Sequence, residues 1–436
     1  MSVGFLSLIF FATIFIVLAI GIPISYAIGG VSIFLILLFW GPNALGMVVL
    51  GTYSKTSGFE FLAIPLFIFM ANMLERSGIA EDLYDTIHKW FGGLRGGLAV
   101  GTVAICTLFA AMAGVSGAAT VAMGIIALPA MLNRGYSKFL ALGCISAGGA
   151  LGVLIPPSIT MIIYGLMANV SIGKLYAGGI LPGLLLASLF IIYIFIRSAL
   201  QPDLAPSIPV EDRCGLKEKL TSLKGLILPI ILVFLVLGSI LLGITSVSEA
   251  AAVGAFGSMI CAAVRRKLSL LVIKEACDKT LLVSCLIFWI IIGAAAFSTL
   301  YTAMGASAFM KDLALSLPVN KWVILWVMQF ILIALGMIME TAGIIMITVP
   351  VFAPVVVALG FDPVWFGVLF IVNMELGFLT PPFGYNLFYL KGVAPDNITM
   401  IDLYRSIVPF VLLQFLGLII CMLMPQIILY IPNLLF

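Results

Sequence analysis

The chain has 436 residues, 63% of them hydrophobic and only 9% charged, with a mean hydropathy of +1.29. Soluble domains carry roughly 25% charged residues, so the composition excludes one and points to a polytopic membrane protein. Its 21 Lys and Arg scattered against 18 Asp and Glu exclude a nucleic-acid or acidic-partner surface, and seven Cys, four of them inside apolar runs (Cys106, Cys144, Cys285, Cys421), show no metal-like spacing and read as packing residues.

The N-terminus is apolar from the start and has no Lys or Arg before Lys55, so it lacks the basic region of a secretory signal and reads as a retained first helix. A bilayer span needs about 20 apolar residues. Runs of that kind lie at about 5–20, 24–40 and 59–75. Residues 78–91, "GIAEDLYDTIHKWF", place Ile79, Leu83, Ile87 and Phe91 at helical spacing opposite charges, which predicts a helix lying on the inner membrane surface. The stretch 97–132 is about 35 residues long with "AGVSGAAT" at its centre, and it predicts a re-entrant hairpin. A helix over about 138–167 follows, interrupted at "GVLIPP". Next come a span at 175–196, a polar cytoplasmic loop at 201–224, and spans at 226–243, 246–264 and 281–301. A second 35-residue stretch, 323–358 with "METAG" at its centre, precedes a helix over about 363–390 interrupted at "GFLTPP". The last predicted span covers about 405–430. Trp40, Trp90, Trp322 and Trp365 fall near span ends, as interface anchors do.

The two interruptions are 225 residues apart, Gly152 matching Gly377 and Pro156–Pro157 matching Pro381–Pro382. The same offset pairs Ser116 with Thr341 and Pro129 with Pro354. The chain therefore divides into a first repeat (1–200), the loop (201–224) and a second repeat (225–436). Charge tests this layout, since cytoplasmic loops collect Lys and Arg. With both termini on the periplasmic side, 17 basic residues, Arg213 among them, lie inside, and only Lys55, Lys174, Lys311 and Lys321 lie outside. That split requires both 35-residue stretches to return to the side they entered. The repeats are then inverted, and inverted repeats with broken helices are a transporter signature.

Proline removes a backbone donor and frees carbonyls that lipid cannot satisfy, so such a break survives only where protein or an aqueous cavity covers it. Freed carbonyls and nearby hydroxyls suit a small desolvated cation. Two cation cups are expected: Ser116 and Thr120 facing Gly152 to Pro156, and Thr341 with Gly343 facing Gly377, Thr380 and Pro381. Glu340 and Glu375 are intramembrane carboxylates, which are costly and default to functional roles. With Ser158 and Asn386 they are the candidate substrate contacts, while Glu60 and Glu249 near span ends read as interfacial. The chain offers no Walker loop, no H-E-x-x-H and no G-x-S-x-G, so no ATP hydrolysis or familiar hydrolase chemistry is expected.

Over essentially its whole length the chain resembles the large membrane (M) subunit of tripartite ATP-independent periplasmic (TRAP) transporters, within the wider ion-transporter superfamily. The residues that carry the likeness are "FLAIPLFIFMANMLERSGIAEDLYD" (61–85), "AGVSGAATVAMGIIALPAMLNRGY" (113–136), "GGALGVLIPPSI" (148–159), "YAGGILPG" (176–183) and "MELGFLTPPFGYNLFYLKGV" (374–393). The resemblance implies an all-α elevator-type transporter of the bacterial inner membrane, driven by at least two sodium ions and not by ATP. It also implies two partners: a small four-helix membrane (Q) subunit, expected as a separate chain, and a periplasmic substrate-binding (P) protein that delivers an organic acid such as sialic acid or a C4-dicarboxylate. Two rival readings are a stand-alone sodium/dicarboxylate carrier and a sodium/proton antiporter using Glu340 or Glu375.

Overall fold

The computed structural model describes residues 3–207, 209 and 214–436; Arg213, one of the expected cytoplasmic charges, lies outside the described residues. Among the described residues the chain is all-helical. Helices α1 (Val3–Ala19), α2 (Ile24–Trp40), α3 (Leu45–Thr56) and α4 (Ala63–Arg76) open it, with α3 and α4 meeting at a 60° bend. After α5 (Ile79–Phe91), α6 (Gly97–Ala113) and α7 (Ser116–Asn133) form the first hairpin. The first broken helix is α8 (Lys138–Ala150) and α9 (Ile159–Ala168), followed by α10 (Ile172–Leu200). Short α11 (Leu216–Ser222) leads into α12 (Lys224–Leu241), α13 (Val247–Val264), α14 (Leu270–Ala303) and α15 (Ala306–Ser316). The second hairpin is α16 (Lys321–Gly336) and α17 (Thr341–Ala358), its broken helix α18 (Pro363–Leu379) and α19 (Tyr385–Val393), and the chain closes with α20 (Met400–Leu423) and α21 (Gln426–Leu435).

Local sequence places the ends. Ser246 with Glu249 and Thr399 with Asp402 form capping boxes, and Asp362 caps α18 with Pro363 in the first helical position. Seven described helices are long and apolar enough to cross a membrane, or eight if the bent pair of residues 42–56 and 59–76 counts as one span.

Packing sorts the helices into two groups. In one, α14 lies against α2, α3 and α4, and α13 against α4 and α12; Gly29 and Gly293 let α2 and α14 meet backbone to backbone. The other gathers both hairpins, both broken helices, α10, α20 and α21. Helix α5 lies between them, packed on α6 and α12.

Four expectations are corrected. The apolar face of α5 is covered by protein rather than by lipid, because Ile87 fills the notch left at Gly101 of α6. Trp365 is 2% exposed and its indole N–H donates to the Cys421 carbonyl at 3.2 Å, so it is a core residue and not an interface anchor. The last predicted span ends earlier, at Leu423, and α21 starts after Pro425. Cys285 is exposed on α14, whereas Cys106, Cys144 and Cys421 are buried.

Candidate functional site

At the first break, α8 runs into a single 3-10 turn (Leu151–Val153) and the chain stays irregular until Ser158 caps α9. Pro156 and Pro157 have no N–H for the carbonyls of Gly152 and Val153. The Ser158 hydroxyl donates to the Val153 carbonyl and accepts from the Met161 N–H at 3.3 Å, so this side chain bridges the break. That leaves the Gly152 carbonyl without its helical donor.

The first hairpin tip sits directly on this irregular backbone. Gly114 is left-handed (φ +66°), and a Cβ there would lie 2.1 Å from the Pro157 carbonyl oxygen. One on Gly152 would lie 2.9 Å from the Val115 carbonyl oxygen and 3.1 Å from the Ser116 Cα. Only glycines permit this contact of backbone with backbone. Ser116 is buried at the start of α7, and the buried Thr120 donates its hydroxyl to the Ser116 carbonyl at 3.0 Å while fitting against Gly149 of α8. The structure thus brings Ser116, Thr120 and Gly152 into one neighbourhood, with Pro157, next to Pro156, against Gly114 of the same tip.

The second break is built from a different partner than the repeat offset suggests. A Cβ on Gly377 would lie 2.8 Å from the Cα and 3.1 Å from the carbonyl oxygen of Gly336, and the Phe383 N–H donates to the Met337 carbonyl at 3.3 Å. Gly336 and Met337, where α16 ends, therefore face Gly377 and Phe383, the residues on either side of Thr380 to Pro382. Thr341 is buried at the start of α17, but Gly343 is turned to Ile24 of α2, 2.0 Å from where its Cβ would be. Thr380 spends its hydroxyl on the Leu376 carbonyl at 2.7 Å.

The four candidate substrate contacts separate. Ser158 is fully buried and occupied in bridging the break. Asn386 is also fully buried, and its Nδ2 donates to the Ser146 carbonyl of α8 at 3.1 Å, tying the second broken helix to the first. Glu375 is fully buried with neither carboxylate oxygen hydrogen-bonded within the protein; Gln414 of α20 is its polar neighbour. Glu340 caps α17, accepting from the Ala342 N–H at 3.1 Å.

Of these four, only Glu340 reaches the cavity of about 480 Å³ between the two groups of helices. The first tip (Gly114 to Ala118) and Thr160 of α9 form one wall, and Asn72 and Glu75 of α4 with Lys279 of α14 form the facing wall. Such a volume is ordinary for a small-molecule site, as is the mostly apolar lining with a few convergent polar groups.

Residues 11–427 match the family described as Tripartite ATP-independent periplasmic transporter, DctM component. The chain belongs to the DctM family, the large permease component of TRAP transporters. It is 32% identical to the C4-dicarboxylate TRAP transporter large permease protein DctM of Pseudomonas aeruginosa, over 93% of each chain. It is also 32% identical to the isethionate TRAP transporter permease protein DctMQ of Oleidesulfovibrio alaskensis, over 94% of this chain and 64% of that protein. In fold it is similar to the crystal structure of the Alcanivorax borkumensis YdaH transporter, with a TM-score of 0.63 over 88% of this chain and 89% of that one at 16% identity.

Within this permease, sequence reasoning missed Gly336, Met337, Asn72, Glu75 and Lys279. The offset pairs Gly336 with Ala111, so the repeat concealed it. Lys279 counted only as one of many cytoplasmic charges; nothing local separates it from Lys274.

Proposed function

We propose that this DctM permease carries an organic acid across the bacterial inner membrane, driven by a sodium gradient, with the acid bound in the 480 Å³ cavity beside the hairpin tips. The observation that carries the reading is the repeated contact of tip and break: Val115–Ser116 on Gly152, and Gly336–Met337 on Gly377. Each gathers carbonyl oxygens, hard ligands of the kind small cations take in transporters with broken helices. Ser116, Thr120, Gly152 and Pro156 would hold one sodium ion. Gly377, Thr380 and Pro381 would hold a second, with Gly336 and Met337 taking the place expected for Gly343.

With the orientation expected from its charges, the Glu75 and Lys279 end of the cavity would lie on the cytoplasmic side, which fits an inward-facing arrangement. The two inverted repeats, 1–200 and 225–436 about the cytoplasmic loop 201–224, would supply one hairpin and one broken helix each to a body that slides as an elevator against the α14-centred group. A Q subunit would brace that group, and a P protein would deliver the acid to the outer face; both termini would be periplasmic. C4-dicarboxylates and isethionate are the substrates named for relatives, and they define the class to try first. The test is uptake of labelled acids into proteoliposomes holding this chain and its Q subunit, with and without P protein and an inward sodium gradient. Uptake that needs both supports the reading. Uptake without P protein means a stand-alone carrier, and sodium-independent uptake refutes both cation sites.

A further inference from the structure

We propose that Lys279 receives the acidic group of the substrate, exchanging Glu75 for it, and that this exchange sets the charge class the permease accepts. The inference rests on the substrate cavity proposed above and names the residue that would read the substrate there. Three ionisable side chains of formal charge at neutral pH line the cavity: Glu75, Glu340 and Lys279. An entering anion therefore meets two carboxylates and a single ammonium, and of these charged side chains only the ammonium attracts it, beside the partial positive charge of the α7 N-terminus at Ser116.

The state of that ammonium is the decisive feature. Lys279 Nζ lies 3.9 Å from Glu75 Oε1, beyond hydrogen-bond reach, with the two side chains 51% and 25% exposed. A wet pair at this distance contributes little. Nor is it needed to hold α4 to α14, because Arg76 and Glu275 pair at 3.1 Å between the same helices, with the Arg only 18% exposed. Lys279 thus carries three donors and a partner that is easily displaced. Beside it, Asn72 Nδ2 donates to Thr280 Oγ1 at 3.3 Å, which fixes a neutral amide in the same wall. Facing this wall is the tip with Ser116. An acid bound to Lys279 would span from the α14 group to the hairpin group, and Glu75 would return to Lys279 when the acid leaves.

The experiment uses the permease with its Q subunit and P protein in proteoliposomes, and succinate and isethionate as probes. Uptake kinetics are measured for the wild type, Lys279→Gln, Lys279→Arg and Glu75→Gln, together with anion-induced thermal stabilisation of the same complexes in detergent. Expected are a KM raised about tenfold or more for Lys279→Gln with kcat little changed, near-wild-type values for Lys279→Arg, and a lowered KM for Glu75→Gln, all with the wild-type sodium half-saturation. Wild-type KM in Lys279→Gln would overturn the proposal and leave the transport reading standing. So would equal loss in Lys279→Gln and Lys279→Arg with an altered sodium response, since that marks a structural role. If the wild type shows no sodium-driven uptake yet anions stabilise it and not Lys279→Gln, the transport reading falls and Lys279 remains the anion site. No uptake and no stabilisation by either anion removes both.

Discussion

Gly152→Ala places one methyl group where the first tip meets the break. Its Cβ would sit 2.9 Å from the Val115 carbonyl oxygen, 3.0 Å from the Val115 carbonyl carbon and 3.1 Å from the Ser116 Cα. All three are backbone atoms, so no side chain can swing away. Ordinary contacts begin at about 3.5 Å, and the two segments must part by roughly half an ångström. Ligand distances in working metal sites hold within about 0.2 Å, so that displacement would take the tip out of the proposed sodium site. Overpacking of this kind costs about 1–3 kcal/mol. If it falls on the sodium-bound state, half-saturation by sodium rises roughly 5- to 150-fold, at tenfold per 1.4 kcal/mol. Gly377→Ala should act alike through Gly336, where the Cβ would come to 2.8 Å of the Cα. Gly392→Ala is the control: it lies in α19, and a Cβ there meets nothing within 4 Å. The assay is sodium-dependent uptake together with sodium-dependent thermal stabilisation. A folded Gly152→Ala protein with a sodium response within about twofold of wild type refutes the placement of the cation at the tip. Equal damage from Gly392→Ala refutes the steric argument.

Ser158→Ala should lower stability by about 0.5–2 kcal/mol, the usual cost of a lost helix cap, read as Tm; a loss of substrate affinity at unchanged Tm would instead make Ser158 a ligand. For Arg265, which is ion-paired with Asp82 and donates at 2.9 Å to the carbonyls of both Gly78 and Gly225, substitution by Ala should cost on the order of 2–3 kcal/mol and raise hydrogen exchange across residues 79–91; unchanged exchange there would show that α5 is held by its apolar face alone. Glu375→Gln keeps the shape of the side chain and removes a buried carboxylate whose one polar neighbour among the described residues is the Gln414 amide, so Tm should hold or rise, and a clear fall would reveal a cation or subunit contact on that carboxylate. Burial and the adjacent Arg134 cation hold the His88 imidazole below its ordinary 6.5. The unfolded chain then binds the extra proton more readily, so this contribution is complete above pH 6.5 and is lost as pH falls through the lowered value. Tm measured from pH 8 to 5 should accordingly decline less steeply in His88→Gln than in wild type.

What was legible in the sequence followed from covalent rules. Two prolines in an apolar helix must break it, and the matched spacing of Gly152 with Gly377 located both breaks to the residue. Hairpins announced themselves by small and polar residues at the midpoint of runs too long for one span. Longer-range choices were not legible, because they depend on which atoms arrive opposite the break. Gly336 lies five residues before Thr341 and has no glycine counterpart in the first repeat, yet it is Gly336 whose missing side chain lets α16 touch Gly377. Likewise hydropathy marks α5 as amphipathic without saying whether lipid or α6 covers its apolar face.

The departure from repeat symmetry carries its own argument. At the first break the tip residues Val115 and Ser116 make the contact, while at the second the end of the preceding arm makes it, and Gly343 is turned to Ile24 of α2 instead. A perfect pseudo-twofold would present the same surface of each hairpin to its break and the same surface to the α14-centred group. Here the second hairpin places its tip glycine against α2, so the two tips meet the opposing group differently: the first faces it across the cavity with Lys279 on the far wall, while the second, which reaches the same cavity through Glu340 and Ala342, adds a tight apolar contact with Ile24. A carrier that must open first to one side and then to the other needs that inequality. One tip has to admit a solute at the face that is open while the other seals the face that is closed. If the hairpins exchange these roles during transport, Gly343→Val should obstruct the contact with Ile24 and shift the resting population toward the outward-facing state. That shift would register as increased labelling of a single Cys placed at Asn169, and unchanged labelling would mean that the Ile24 contact does not seal the outer side.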